Sequence, residues 1–320
     1  MTEPLEIQVW RGDLVESRHA VSACAVDRDG KLVLSIGDTT RPTYPRSAVK
    51  PLQALPLVES GAADRFELGS EELALACASH GGEPQHSDRV AAWLQRIGCT
   101  EADLLCGSHA PFHRPSARAL RIADESPSAL HNNCSGKHAG MLTLARHLDV
   151  PVADYIQPDH PVQIAIRRRL ETLAGASFGP SAIDGCGIPT FPMSLETLAR
   201  ATAAFLDQGA AATRLIDAMT GRPELVAGSD KLDTDLMRAV PGLAVKTGAE
   251  GAYLAMHRTS GSALALKVHD GAGRAAEVAL IRLLRRLGWI DAGDVEALRR
   301  YAEPEVNNVA GVTVGRISAA

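Results

Sequence analysis

Hydrophobic positions along the chain change their period several times, and these changes outline the elements. Residues 5–15 and 18–26 set Val, Ile, Leu and Ala in partial alternation with polar residues, and Asp27-Arg28-Asp29-Gly30 supplies a turn before the apolar run Leu32 to Ile36. This stretch predicts antiparallel strands. The period then lengthens: apolar positions recur every three or four residues over 86–98, 138–148, 160–174, 194–207 and 209–219, and again over 274–288 and 291–301. These are predicted helices. Residues 243–247, 252–257 and 263–269 return to strand-like patterns, separated by Gly248 to Gly251 and by Ser260-Gly261, and they predict a meander; a last strand is expected over 309–317. The expected fold is mixed α/β of the α+β kind, an antiparallel sheet flanked by helices, in one domain over 1–320 with two lobes.

Composition narrows the function. With 320 residues and 45% hydrophobic content a sizeable core is available, and at 4% aromatic it is built from small aliphatic side chains. The net charge of -5 is mild and no basic stripe exists, which excludes a nucleic-acid partner. No apolar run reaches the roughly 20 residues that span a bilayer, and the start MTEPLEIQVWRGD lacks the basic-then-apolar plan of a leader, so the expected location is cytoplasmic with no membrane partner. Cys24, Cys77, Cys99, Cys106, Cys134 and Cys186 include no CxxC pair, and a reducing compartment keeps them as thiols. The first four read as small buried hydrophobes.

Ser47-Ala48-Val49-Lys50 is the only S-x-x-K in the chain, and on a helix this spacing puts hydroxyl and ammonium on one face. A lysine there can take the serine proton only when neutral, so its pKa must fall from about 10.4. The plainer alternative is a helix-capping serine beside a solvated lysine. Lys246-Thr247-Gly248 ends the apolar run Leu243 to Val245, where a lysine otherwise protects a sheet edge. S-x-x-K on an early helix and K-T-G on a late strand is the order found in serine β-lactamases and penicillin-binding proteins. Ser79, in Ala78-Ser79-His80-Gly81-Gly82, is the candidate for the serine those proteins place between the two motifs, against the alternative of a simple turn. No Ser-Asp-Asn triplet is present, which counts against a β-lactam substrate.

Asn132-Asn133-Cys134-Ser135-Gly136-Lys137-His138 and Asp184-Gly185-Cys186-Gly187 place two thiols in glycine-bearing loops. They can meet around zinc, with Lys137, His138 or water completing the set, or remain buried or reactive thiols.

Together the segments TRPTYPRSAVKPLQALPL, ACASHGGEPQHS, LHNNCSGKHAGML, DGCGIPTFPMSL and VKTGAEG resemble the rhizobial-type L-asparaginases over nearly the whole chain. The resemblance implies a serine β-lactamase-like fold, L-asparagine as substrate and a homodimer. It also implies two serine-lysine pairs, Ser47-Lys50 and Ser79-Lys246, with Ser47 the nucleophile and Lys50 its base. The oxyanion would lie on the N–H groups of Ser47 and Ala249; zinc would be held by Cys134, Lys137 and Cys186, with Asp184 orienting a ligand. Two other readings compete with it: a β-lactamase, peptidase or esterase that uses the same serines, and a zinc- or thiol-dependent binding protein centred on Cys134 and Cys186.

Overall fold

A computed structural model describes residues 2–320, which divide into two compact units. The first comprises residues up to 48 with 193–206 and 235–320, and the second comprises 49–192 and 207–234.

The first unit is built on an eight-stranded antiparallel sheet. Its order runs Leu243–Gly248, Ala252–His257, Ser262–Val268, Leu14–Val26, Leu5–Arg11, Thr313–Ala319, Glu305–Asn307, and Leu32–Ile36 pairs with Leu14–Val26 off this path. The predicted meander is present, in the register Lys246 opposite Leu254 and Leu254 opposite Ala265. Strand Leu14–Val26 is buried throughout Val21 to Val26, because helix Leu195–Leu206 packs on it and on Ser262–Val268 through Leu195, Leu198 and Ala199. Helix Gly273–Arg286 packs on Ser262–Val268 and Thr313–Ala319 with a stripe that includes Ala276, Leu280 and Leu284.

Three boundaries depart from the sequence pattern. The first turn falls at Gly12-Asp13, so the strands are Leu5–Arg11 and Leu14–Val26. The helix expected over 291–301 breaks at Leu298 into Ala292–Ala297 and Arg299–Ala302. The last strand becomes Glu305–Asn307 and Thr313–Ala319, because Asn308 N–H bonds to Val312 O and turns the chain between them.

The second unit is helical, with Ser70–Ala76, Pro84–Arg96, Arg114–Ile122, Ser135–His147, Pro161–Ala174 and Gly209–Gly221 as its principal helices and a short ribbon pairing Ala182–Ile183 with Pro189–Thr190. Helix Ser135–His147 is buried from Ser135 to Ala145, on every face, so no amphipathic stripe marks it. Gly136 makes this packing possible: a Cβ there would lie 2.5 Å from Leu75 O and 2.8 Å from Leu75 Cβ. Only a residue without a side chain lets this helix approach Ser70–Ala76 so closely. Among the described residues, no helix is long and apolar enough to cross a membrane.

Candidate active site

Lys50 opens helix Lys50–Gln53 and is 1% exposed. Its Nζ is in hydrogen-bond contact with Ala78 O, with Ser79 Oγ at 2.9 Å and with Cys134 Sγ at 3.2 Å. Burial pushes its pKa below the ordinary lysine value; the Cys134 and Cys186 sulfurs oppose this and the Lys137 charge adds to it. The result is a lysine shifted toward its neutral form with a serine oxygen in hydrogen-bond contact.

Ser79 is held from several sides. Its N–H bonds to Val226 O at 2.8 Å, and the next N–H, of His80, bonds to Asn133 O at 3.2 Å. The His80 ring is wholly buried. Gly82 N–H donates to its Nδ1 at 3.1 Å, so Nε2 carries the proton and donates to Ser135 Oγ at 3.0 Å, while Ser135 donates to Leu130 O. This chain ties the Ser79 loop to the first turn of helix Ser135–His147. His86 stacks on His80 with ring centroids 4.7 Å apart.

These rings are neutral by construction, which has a consequence in acid. Burial, then neighbouring positive charge, holds His80 and His138 well below the ordinary histidine pKa, and burial lowers His86 as well. Below about pH 6.5 the unfolded chain takes up protons that the folded chain refuses, so stability is full above that pH and is lost as pH falls. The loss is up to about 1.4 kcal/mol per pH unit for each histidine. Urea midpoints are expected to be flat from pH 8 to 7 and to drop steadily below 6.5; a midpoint unchanged at pH 5 would contradict the assignment.

The two loop cysteines meet. Cys134 and Cys186 lie close enough to bias each other's ionisation: the Cys186 thiol, then the Lys50 and Lys137 charges, hold Cys134 well below the ordinary thiol value against burial, while Cys134 and burial push Cys186 up. Lys137 Nζ donates to Cys186 Sγ at 2.8 Å, and Asp184 Oδ2 lies 3.9 Å from that sulfur. Burial disfavours the Lys137 charge, but the two sulfurs outweigh it and its pKa is raised. All six cysteines are free and buried. Two sulfurs and an amine form a soft donor set that fits zinc with one position left open. Among the described residues no three His, Cys, Asp or Glu side chains stand close enough to hold a metal, so a metal here requires the Lys137 nitrogen. His138 turns instead to Tyr155, its Nδ1 2.5 Å from the phenol oxygen.

The first unit carries the other expected residues. Ser47 lies half-buried in the 3-10 turn Arg46–Val49, just after Arg46, whose φ of 51° is unusual for a side-chain-bearing residue. Lys246 is fully buried on Leu243–Gly248, the terminal strand of the sheet, and its Nζ donates to Thr247 O at 2.6 Å. A Cβ on Gly248 would lie 2.7 Å from Pro45 O and 2.9 Å from Ala48 N. The glycine of K-T-G therefore lets this strand end press against the backbone around Ser47, and Ala249 follows it.

Lys50 thus meets Ser79, whereas the resemblance pairs it with Ser47. The structure brings Cys134, Lys137, Cys186 and Asp184 near one another. His80 and Ser135 were missed by sequence reasoning; the available signal was a histidine set between the candidate serine and a glycine pair.

The profile of the family described as L-asparaginase II matches residues 7–319. Among solved structures the chain is similar to Mglu in its native form, at 13% identity and a TM-score of 0.48, covering 86% of this chain and 66% of Mglu, just under two thirds of that protein. It is also similar to a β-lactamase from Mycobacterium bovis, at 14% identity and a TM-score of 0.42, covering 84% of this chain and 95% of that one. Among curated proteins no match is found.

Proposed function

The chain belongs to the L-asparaginase II family, and from that premise we propose that it converts L-asparagine to L-aspartate and ammonia through a serine nucleophile and a lysine base. The observation that carries this reading is Lys50 Nζ, buried and shifted toward neutrality, 2.9 Å from Ser79 Oγ.

Ser47, the first residue of S-x-x-K, attacks the side-chain carbonyl of the substrate and gives its proton to Lys50. The N–H groups of Ser47 and Ala249 receive the oxyanion, a role supported by the close approach of Gly248 to Pro45 and Ala48. The carbon–nitrogen bond breaks, Lys50 returns the proton through Ser79 to the leaving nitrogen, and ammonia departs. Water then adds to the acyl carbon, gives its proton to the same base, and releases aspartate and Ser47. Lys246 is assigned the second lysine role, paired with Ser79. Cys134, Lys137 and Cys186 would hold zinc, with Asp184 orienting a ligand; zinc bound there supplies a Lewis acid that holds or polarises the substrate. The same reading carries a cytoplasmic homodimer.

Ammonia release from L-asparagine is expected in the wild type and absent in Ser47→Ala, with Ser79→Ala reduced about 10²- to 10⁴-fold, the usual range for a lost proton-transfer group. Mass spectrometry of an acyl-enzyme trapped at acid pH locates the nucleophile: an adduct on Ser79 would exchange the two serine roles, and a wild type that releases no ammonia sinks the reading. Metal content tests the second part. About one zinc per chain is expected after reconstitution, lost in Cys134→Ala and in Cys186→Ala; a wild type that retains none would remove zinc from the proposal.

A further inference from the structure

A cavity of about 150 Å³ opens in the first unit, lined by Asp38, Arg41, Thr43, Lys267 and His269, with Leu195 as an apolar wall. None of these residues has a role in the chemistry above. At roughly 30 Å³ per water it has room for about five, the bulk of a small organic acid.

Its charge is mixed in a particular way. Two cations, Arg41 and Lys267, stand near enough for the first to depress the pKa of the second, after the larger effect of burial and against the pull of Glu250 and Asp270. Lys267 is half-buried and donates to Val268 O; an ammonium has three protons to give. Asp38 is held with its Oδ1 accepting from Thr40 N at 3.1 Å, Thr40 Oγ1 at 2.8 Å and Arg41 N at 3.1 Å, so Oδ2 lies outside that turn. Ser22 Oγ accepts from Asp38 N at 3.1 Å and meets His269 Nε2 at 2.8 Å, which ties the two sides of the cavity together. A phosphate would meet the Asp38 carboxylate, and a neutral ligand would add no counter-charge to Arg41 and Lys267, the second of which Glu250 and Asp270 attract only from outside the lining. A zwitterion satisfies both signs.

We propose that this cavity is a second binding site, for a small free amino acid whose carboxylate lies on Arg41 and Lys267 and whose ammonium lies on Asp38. The site also has a route to Ser47. Arg41 belongs to the segment that runs directly into Ser47, and that segment is fastened to the start of helix Leu195–Leu206 by Thr39 Oγ1 donating to Glu196 Oε1 at 2.9 Å and by the pairing of Thr43 with Met193. A ligand bridging Arg41 and Lys267 fastens it to strand Ser262–Val268 as well. Binding stands without the asparaginase reading; only an effect on turnover rests on it.

Calorimetric titration of L-aspartate into the wild type, Lys267→Met and Arg41→Gln tests the proposal. Two bound per wild-type chain and one per variant chain are expected, with kcat for asparagine unchanged within twofold in both variants when no aspartate is added. One in the wild type and none in the variants would keep this site and count against the catalytic one. Equal stoichiometry and affinity in all three proteins, or no binding to the wild type, overturns the proposal. Lys267→Gln serves if the methionine variant does not fold. Succinate, which lacks the ammonium, is expected to bind at least tenfold more weakly at this site, and succinate binding as tight as aspartate overturns the assignment to amino acids.

Discussion

Lys50→Met is expected to lower kcat for asparagine hydrolysis by about 10³-fold while leaving the fold intact or slightly more stable. The rate loss follows from removing the proton acceptor, within the range usual for general acid-base groups. The stability result has a separate cause. A buried ammonium is costly to desolvate, and burial is already the largest influence on this one. Methionine has a similar shape and no charge to bury, although Ala78 O and Ser79 Oγ then lose their donor. Steady-state kinetics beside thermal unfolding separates the two effects. A variant within tenfold of the wild-type kcat would remove Lys50 from the proton path. A large fall in melting temperature would mean that the lysine serves the fold first.

Gly136→Ala is expected to be the most damaging change of a single methyl group near the site. The added Cβ meets backbone, Leu75 O at 2.5 Å, which cannot rotate away. Overpacking of this kind costs about 1–3 kcal/mol, and the helix-propensity gain of alanine over glycine, about 1 kcal/mol, offsets only part of it. Because Gly136 lies between Cys134 and Lys137, the displaced turn should also disturb Lys50, through its contact with Cys134 Sγ. Activity should therefore fall with stability. Gly140→Ala is the control on the same helix: its nearest neighbour is the Leu57 Cδ2 methyl at 3.3 Å, a side-chain tip that can move, so that variant should be near wild type in both respects. If the two substitutions behave alike, the close approach at Gly136 is not what places the site.

Several elements were legible because their signal is local. The meander Leu243–Gly248, Ala252–His257 and Ser262–Val268 shows a strand period broken by glycine turns, and helix Gly273–Arg286 shows a one-sided apolar stripe against the sheet. Other elements gave no such signal. Ser70–Ala76 is a short helix, and Arg114–Ile122 has no buried residue at all, so neither displays an inward face to a reader of the pattern. The break at Leu298 is equally silent, since apolar spacing continues across it.

The candidate chemistry divides along the same line. S-x-x-K, K-T-G and the two cysteine loops are short strings whose residue types are apparent from the chain itself, and so the candidate groups are legible without geometry. What those groups meet could not be read. Lys50 contacts Ser79 across 29 residues, and His80 reaches Ser135 across 55, because helices Ser70–Ala76 and Ser135–His147 pack closely at Gly136. Nor could protonation be read, since a pKa depends on burial and neighbouring charge supplied by distant parts of the chain. Sequence determined the inventory of serines, lysines and thiols and their order. Only the tertiary structure decided which lysines lost their water, which serine Lys50 touches, and which sulfurs meet, because desolvation and contact are properties of packing rather than of neighbours in the chain.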